Sequence, residues 1–177
     1  AIELGNKLKW VNLHGFSKTK LERYLIAVTG NGKPILLLHG FDSSFLEFRR
    51  LTPLLEKKYK LYIPDLFGFG FCPRPKNAKY GRESLINHLN EVLSLIPNNS
   101  KVGLIGASMG GALAMELARK NPDKIDKILL LSPAGLTGRP MPIPRVIDQI
   151  GVWFLKQPLV RKNICKQAFY DPQNSVG

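Results

Sequence analysis

Gly-Ala-Ser-Met-Gly-Gly, at residues 106–111, is the most informative segment of this sequence. It follows an apolar run at 101–105 that is typical of a buried strand, and it precedes strong helix formers at 112–120. A serine at such a tight turn from strand to helix takes a strained backbone conformation that holds its hydroxyl out of the sheet. Side chains at 106 and 110 would collide within the turn. The pattern predicts a nucleophile elbow with Ser108 at its tip.

Alternating apolar and amphipathic runs around this elbow predict an α/β fold. Two antiparallel opening strands are predicted at 8–13 and 22–28, and buried strands at 34–40, 61–66, 101–105 and 127–132. Helices are predicted at 46–57, with Leu51, Leu54 and Leu55 on the inner face, and at 82–96. Strands that alternate with helices predict a mostly parallel, doubly wound sheet covered on both faces.

The composition changes after Pro133. Residues 138–145 are rich in proline, and residues 146–170 indicate short helices outside the sheet. We therefore divide the chain into a core at 1–137 and the beginning of a helical cap at 138–177. Because no later segment resembles a sheet strand, we expect the sheet to be incomplete at its C-terminal side.

The chain is strongly basic, with 26 Lys and Arg against 13 Asp and Glu, a net charge of +13. The basic residues are scattered, and no arginine-rich helix or aromatic RNA-binding signature accompanies them, so we expect no nucleic-acid partner. Peripheral association with anionic membranes, through basic residues after 138, is a weaker alternative.

Cysteine usage indicates the compartment and bears on metal binding. Cys72 and Cys165 are the only cysteines, which fits a reducing compartment and a cytoplasmic location. Neither stands at metal-ligand spacing from another cysteine or a histidine. We expect no metal and no organic cofactor.

Three motifs follow predicted parallel strands and should meet at one edge of the sheet. His39-Gly40-Phe41, Asp65 and Ser108 each come where a strand ends. Ligands of open parallel sheets bind at the carboxyl ends of the strands. The elbow is therefore expected to lie beside the loop after the strand at 34–40.

In these motifs the chain resembles the α/β-hydrolase superfamily, close to its cap-bearing esterases and carbon–carbon bond hydrolases. The resemblance spans residues 8–132 and rests on His39-Gly40-Phe41, on Asp65-x-x-Gly68-x-Gly70 and on residues 106–111. It implies a sheet of the α/β-hydrolase type followed by a cap.

The resemblance also implies roles for individual residues. Ser108 would be the nucleophile, and the backbone N–H groups of Phe41 and Met109 would form the oxyanion hole. His39 and Gly40 would shape the oxyanion loop, and Asp65 would fix the loop that follows it. The glycines that allow the elbow would be Gly106, Gly110 and Gly111.

The chain departs from this family in one respect. The family places the acid and the histidine of its triad after the serine, whereas His14, His39 and His88 all precede Ser108. We therefore expect the acid and the base beyond residue 177, and the 177-residue chain alone to be inactive.

These observations predict a serine hydrolase that cleaves a carboxylic ester or a related acyl bond through an acyl-serine intermediate. Its substrate would be a small apolar ester. One alternative is hydrolysis of a carbon–carbon bond in a diketone-like substrate, since both reactions stabilise an oxyanion near Ser108. Another is a non-catalytic binding module on a hydrolase scaffold, which the missing histidine motivates.

Some aromatic and histidine residues allow two interpretations. His88 flanks the apolar stripe of its predicted helix and is interpreted as a semi-buried surface histidine. The phenylalanines at 67, 69 and 71 either line a substrate pocket or pack beneath their loop. The apolar residues 153–155 either line an acyl pocket or hold the cap to the core.

Overall fold

The computed structural model describes residues 2–14 and 21–135 of the chain, and side chains at 4–13 and 23–135. The strands of this part are β1 (Leu8–His14), β2 (Leu21–Thr29), β3 (Lys33–Leu38), β4 (Tyr59–Pro64), β5 (Val102–Ala107) and β6 (Ile125–Leu131). The helices are α1 (Ile2–Gly5), α2 (Thr52–Leu55), α3 (Arg82–Ser94) and α4 (Met109–Lys120), with a 3₁₀ turn at Phe45–Phe48. The predicted cap and the boundary at 137 lie outside the described residues.

The strands form one sheet in the order β1-β2-β4-β3-β5-β6. β1 and β2 are antiparallel to each other, and β2 is antiparallel to β4. β4, β3, β5 and β6 are parallel. The fold is therefore the mostly parallel α/β type that the sequence predicts. Leu38 at the end of β3 pairs with Gly106 of β5, so the loop after β3 begins beside the elbow.

Apolar side chains cover both faces of the sheet. On one face, Leu36 and Leu38 of β3 share a core with α3 and α4. On the other face, Leu37 packs with Phe45 and Phe48 of the 3₁₀ turn. Because β3 lies in the middle of the sheet, its three leucines are fully buried, as its continuous apolar run predicts.

The prediction of a single helix at 46–57 is wrong. The segment instead holds the 3₁₀ turn and the one-turn helix α2, with Pro53 in the first turn of α2. Proline has no N–H to donate, so it cannot sit inside a continuous helix without losing a backbone bond. Leu54, predicted on the inner face, is 67% exposed, whereas Leu51 and Leu55 do pack against the core.

The prediction that β6 is buried is also wrong. Among the described residues, β6 pairs with β5 alone and forms the edge of the sheet. Ile128, Leu129 and Leu131 are consequently 40%, 54% and 39% exposed. An apolar run predicts a strand, but it does not tell which strand of a sheet has neighbours on both sides.

Candidate active site

Ser108 lies between the last residue of β5 and the first residue of α4. Its φ of 50° and ψ of −115° place it in a region that non-glycine residues rarely adopt. The surrounding main chain holds it there: its N–H donates to Leu131 O at 3.0 Å, and its carbonyl accepts from Gly111 N at 3.0 Å and from Ala134 N at 2.9 Å. The Ser108 side chain is exposed and does not cap α4. The turn therefore presents the hydroxyl to solvent at the carboxyl end of β5.

Glycine at the elbow has a steric cause. A Cβ on Gly106 would overlap the carbonyl of Gly110, and a Cβ on Gly110 would overlap Leu38 O and lie 2.6 Å from His39 O. These neighbours are backbone atoms, so no side-chain rotation relieves the contact. A Cβ on Gly111 would lie 2.7 Å from Pro133 Cβ. A side chain at Gly110 would therefore keep the first turn of α4 from approaching the end of β3, and side chains at Gly106 and Gly111 would open the elbow itself and its contact with Pro133.

The loop after β3 runs directly beside the elbow. A Cβ on Gly40 would lie 3.3 Å from Ser108 Cβ, and the Gly40 N–H donates to Glu47 Oε2 at 2.9 Å. Phe41, the next residue, is 64% exposed. Met109 begins α4, and the first N–H groups of a helix have no acceptor within it. Met109 thus follows Ser108 in sequence, and Phe41 follows Gly40, which approaches Ser108 in space.

His39 is fully buried and joins the ends of β3 and β4. Its Nε2 accepts from the Leu66 N–H at 2.9 Å, so Nδ1 carries the ring proton and donates to Gly40 O at 2.8 Å. Burial lowers the pKa of His39, which keeps the ring neutral. Because both ring nitrogens are engaged, His39 is not available as a base for Ser108.

Asp65 fixes the loop that follows β4. Its side chain is buried, with Oδ1 accepting from Phe45 N–H at 2.7 Å and Oδ2 from Phe71 N–H at 2.6 Å. Burial raises the pKa of the carboxyl, while these two hydrogen bonds oppose the shift. Gly70 passes so close that a Cβ there would overlap the carboxylate. The Asp65-x-x-Gly68-x-Gly70 motif therefore bends a loop around one carboxylate.

His88 is not the semi-buried surface residue that the sequence suggests. It is 5% exposed, its Nε2 donates to Asp65 O at 3.0 Å, and its ring packs 4.9 Å from that of Tyr24. Nδ1 is buried and has no hydrogen-bond partner within the described residues. Burial lowers the pKa of His88 to about 4. The apolar stripe of α3 is wide enough to include this position.

The three phenylalanines after Asp65 occupy different environments. Phe67 is buried and stacks on Tyr80 with ring centroids 5.4 Å apart. Phe69 is partly buried, and its ring meets the edge of Phe41 at 5.5 Å. Phe71 is 61% exposed and contacts Phe45. The pocket interpretation therefore fits Phe67 and Phe69, which line a cleft, and does not fit Phe71, which is absent from its wall.

This cleft, which we call the main cleft, has a volume of about 830 Å³. Phe41 and Met109 lie on its wall, together with Phe67, Phe69, Leu85 and Leu113, and three charged residues also line it: Arg82, Glu116 and Arg119. The contributions of α3, and of α4 beyond Met109, were not predicted from the sequence. The spacing of Met109, Leu113 and Glu116 on one face of α4 was the signal that could have found them.

Two structural findings concern other functions. In the described ranges, no three His, Cys, Asp or Glu residues come together as a metal site. The helices of the described part also include none with the length and apolarity needed to cross a membrane.

Comparison with known proteins gives several matches. A family model described as alpha/beta hydrolase fold matches residues 33–160. The 2-hydroxymuconate semialdehyde hydrolase of Pseudomonas sp. (strain CF600) is 30% identical over 125 residues, 69% of this chain and 43% of that protein. Lipase 1 of Psychrobacter immobilis is 36% identical over 123 residues, 68% of this chain and 38% of that protein.

A solved structure is similar over most of the chain. A mutant of the meta-cleavage product hydrolase CumD, from Pseudomonas fluorescens IP01, aligns with a TM-score of 0.72 at 25% sequence identity. The alignment covers 94% of this chain and 58% of that one. The chain spans about two fifths of the length of the curated relatives it matches.

Proposed function

Because the chain belongs to the α/β-hydrolase fold family, we propose that its protein is a serine hydrolase in which Ser108 attacks the carbonyl carbon of a carboxylic ester or a related acyl compound. The observation that carries this proposal is the backbone of Ser108, which holds an exposed hydroxyl in a strained conformation at the head of α4. Such strain persists only where the surroundings enforce it, and it clusters at active sites.

The reaction would proceed in two steps. The Ser108 oxygen adds to the carbonyl carbon while its proton passes to a base, and the alcohol then leaves with that proton as the acyl-serine forms. Water next attacks the acyl-serine and gives a proton to the base, which passes that proton to the Ser108 oxygen as the carboxylic acid is released. Because the two described histidine rings are buried and their hydrogen bonds go to backbone groups other than Ser108, we propose that the base and its acid come from residues beyond 177.

Both steps generate an oxyanion, which we propose is bound by the N–H groups of Phe41 and Met109. A preorganised donor of this kind stabilises the transition state by about 3–4 kcal/mol. The N-terminal end of α4 adds a favourable potential at the same place. Support for the Phe41 donor comes from the close approach of Gly40 to Ser108.

His39, Gly40 and the elbow glycines would act by positioning these groups. The bond from His39 Nδ1–H to Gly40 O, and the bond from Gly40 N–H to Glu47, restrain the loop that carries Phe41. Gly110 would let α4 begin close to that loop, while Gly106 would leave room for Gly110 within the elbow and Gly111 would leave room for Pro133. We also propose that residues 138–177 begin a helical cap.

The proposed substrate is a small molecule with an apolar acyl part, since side chains of the main cleft are mostly apolar. A second candidate, hydrolysis of a carbon–carbon bond in a diketone-like compound, is supported by the similarity to 2-hydroxymuconate semialdehyde hydrolase. The similarity to Lipase 1 supports ester cleavage.

Turnover by the full-length protein tests the proposal. We expect hydrolysis of p-nitrophenyl esters that is abolished by Ser108→Ala and retained by Ser100→Ala, a matched loss of one hydroxyl before β5. Turnover of a diketone panel without ester turnover would replace the ester proposal by the carbon–carbon one. If the folded protein turns over neither class, the non-catalytic binding module is the better account.

A further inference from the structure

The main cleft carries a group of charges that ester hydrolysis alone does not require. Glu116 of α4 accepts a hydrogen bond from Arg82 of α3 at 2.8 Å and from Arg119 at 3.2 Å, and the Lys120 ammonium lies 3.9 Å away. One carboxylate thus faces three cations, which leaves a net charge of +2 in this group. Arg82, Glu116 and Arg119 line the cleft, and we call these three residues its charged end.

Arg82 and Arg119 retain the capacity to bind a ligand. Both line the cleft, and their side chains are 73% and 68% exposed, whereas that of Glu116 is 15% exposed. The bonds to Glu116 use one terminal nitrogen of each guanidinium. A guanidinium has five N–H donors, so each arginine has further donors with which to bind an anion. The Glu116 carboxylate holds the two side chains near each other.

The charged end lies at a defined distance from the proposed reaction centre. Met109 begins α4, and Glu116 and Arg119 follow seven and ten residues later. At a rise of about 1.5 Å per residue, these positions lie roughly 10 and 15 Å along the helix from Met109. Leu113, which lies between Met109 and Glu116 in α4, also lines the cleft. A ligand that spans this interval would meet apolar surface along its length and positive charge at its end.

Stability of the fold is a weak reason for this arrangement. Exposed ion pairs contribute only about 0–1 kcal/mol, and one cation would have been enough to pair with Glu116. Arginine pairs with carboxylates through two parallel N–H···O bonds, a geometry that a lysine ammonium does not offer. The two cleft-lining arginines therefore suit a planar anion such as a carboxylate.

We infer that the main cleft selects substrates whose acyl chain ends in a carboxylate, which Arg82 and Arg119 bind while the reacting carbonyl lies at Phe41 and Met109. This inference rests on the proposed function and narrows its substrate class. The charge is remote from the reacting bond, so it should act on KM and leave kcat nearly unchanged.

The test compares p-nitrophenyl monoesters of linear dicarboxylic acids with p-nitrophenyl esters of monocarboxylic acids of equal chain length. For the full-length protein we expect a lower KM for the carboxylate-tailed ester, with the preference greatest at one medium chain length. Arg82→Gln with Arg119→Gln should cut that preference at least about tenfold. The KM of the neutral esters should change much less than that of the carboxylate-tailed esters. Lys101→Gln is a control for charge, since Lys101 is exposed and precedes β5 at the opposite end of the strand.

The outcomes separate this inference from the proposed function. Equal KM values for tailed and neutral esters, or an equal loss in Lys101→Gln, would overturn the carboxylate site and leave the serine hydrolase standing. If no ester is hydrolysed, calorimetric binding of dodecanedioic acid still tests the site. Binding that is weakened by the two arginine substitutions and by added salt would support it. Absence of binding would overturn it.

Discussion

Gly110→Ala gives the sharpest test of how the elbow is built. The added Cβ would overlap Leu38 O and lie 2.6 Å from His39 O, at the end of a strand that is hydrogen-bonded on both sides. Overpacking costs about 1–3 kcal/mol, and the upper end applies because the neighbours are backbone atoms. Alanine recovers about 1 kcal/mol through its higher helix propensity in α4. The expected net loss of unfolding free energy is about 2 kcal/mol.

Gly103→Ala is the matched control, because it adds the same methyl group within β5. Its Cβ would lie 3.5 Å from Ile35 Cγ1, an ordinary contact. Alanine in a strand gains about 0.5–1 kcal/mol over glycine, so this variant should be as stable as the wild type or more stable. Urea unfolding of the full-length protein, followed by circular dichroism, measures both changes.

The esterase activity of the two variants should differ in the same direction as their stability, with Gly110→Ala the less active. Any shift that relieves the clash at Gly110 must move the start of α4 away from the loop at 39–41, so the proposed oxyanion donors would separate. We expect p-nitrophenyl ester turnover to fall in Gly110→Ala and to persist in Gly103→Ala. Equal stability of Gly110→Ala and the wild type, or an equal loss in Gly103→Ala, would refute the steric reasoning.

Three other substitutions test separate parts of the account. Ser108→Gly should raise the unfolding free energy by about 1 kcal/mol in urea, since it removes strain of about 1–3 kcal/mol and adds glycine entropy of about 0.5–1; a loss of stability would show that the positive φ is not strained. Asp65→Asn leaves one of the two backbone donors facing an amide NH₂ and should cost about 1–3 kcal/mol, and an unchanged urea midpoint would contradict the assignment. The pKa of His88 is lowered from 6.5 to about 4, so between these pH values the unfolded chain binds more protons. The free energy of unfolding should therefore fall on the order of 3 kcal/mol as the pH drops from 6.5 to 4. His88→Phe should reduce this dependence of the unfolding free energy on pH. An equal pH dependence in the variant would argue against the lowered pKa of His88.

Much of the fold could be predicted from local pattern. The run before Ser108 and the helix formers after it specify β5 and α4 with almost the observed bounds. The apolar spacing within 82–96 likewise predicts α3. Local patterns do not predict which strands are neighbours in the sheet, because strand pairing depends on contacts between residues far apart in sequence. That is why β6 was predicted to be buried, whereas the single helix predicted at 46–57 failed for a local reason, Pro53 in the first turn of α2.

The candidate site, too, could be predicted from the sequence only in part. Motif spacing brings Ser108, Gly40 and Asp65 to one edge of the sheet, and the structure places them there. Burial is a property of packing, so the sequence did not predict the buried ring of His88. The charged end of the cleft also escaped notice, because Arg82 and Glu116 meet only when α3 and α4 pack side by side.

A crystal structure of the full-length protein after reaction with a fluorophosphonate tests whether Ser108 is the nucleophile and whether the proposed oxyanion donors face it. We expect a phosphonyl group on Ser108 Oγ, with its oxygen within hydrogen-bond distance of the N–H groups of Phe41 and Met109. Phosphonylation of a different residue, or a phosphonyl oxygen turned away from both amides, would contradict it.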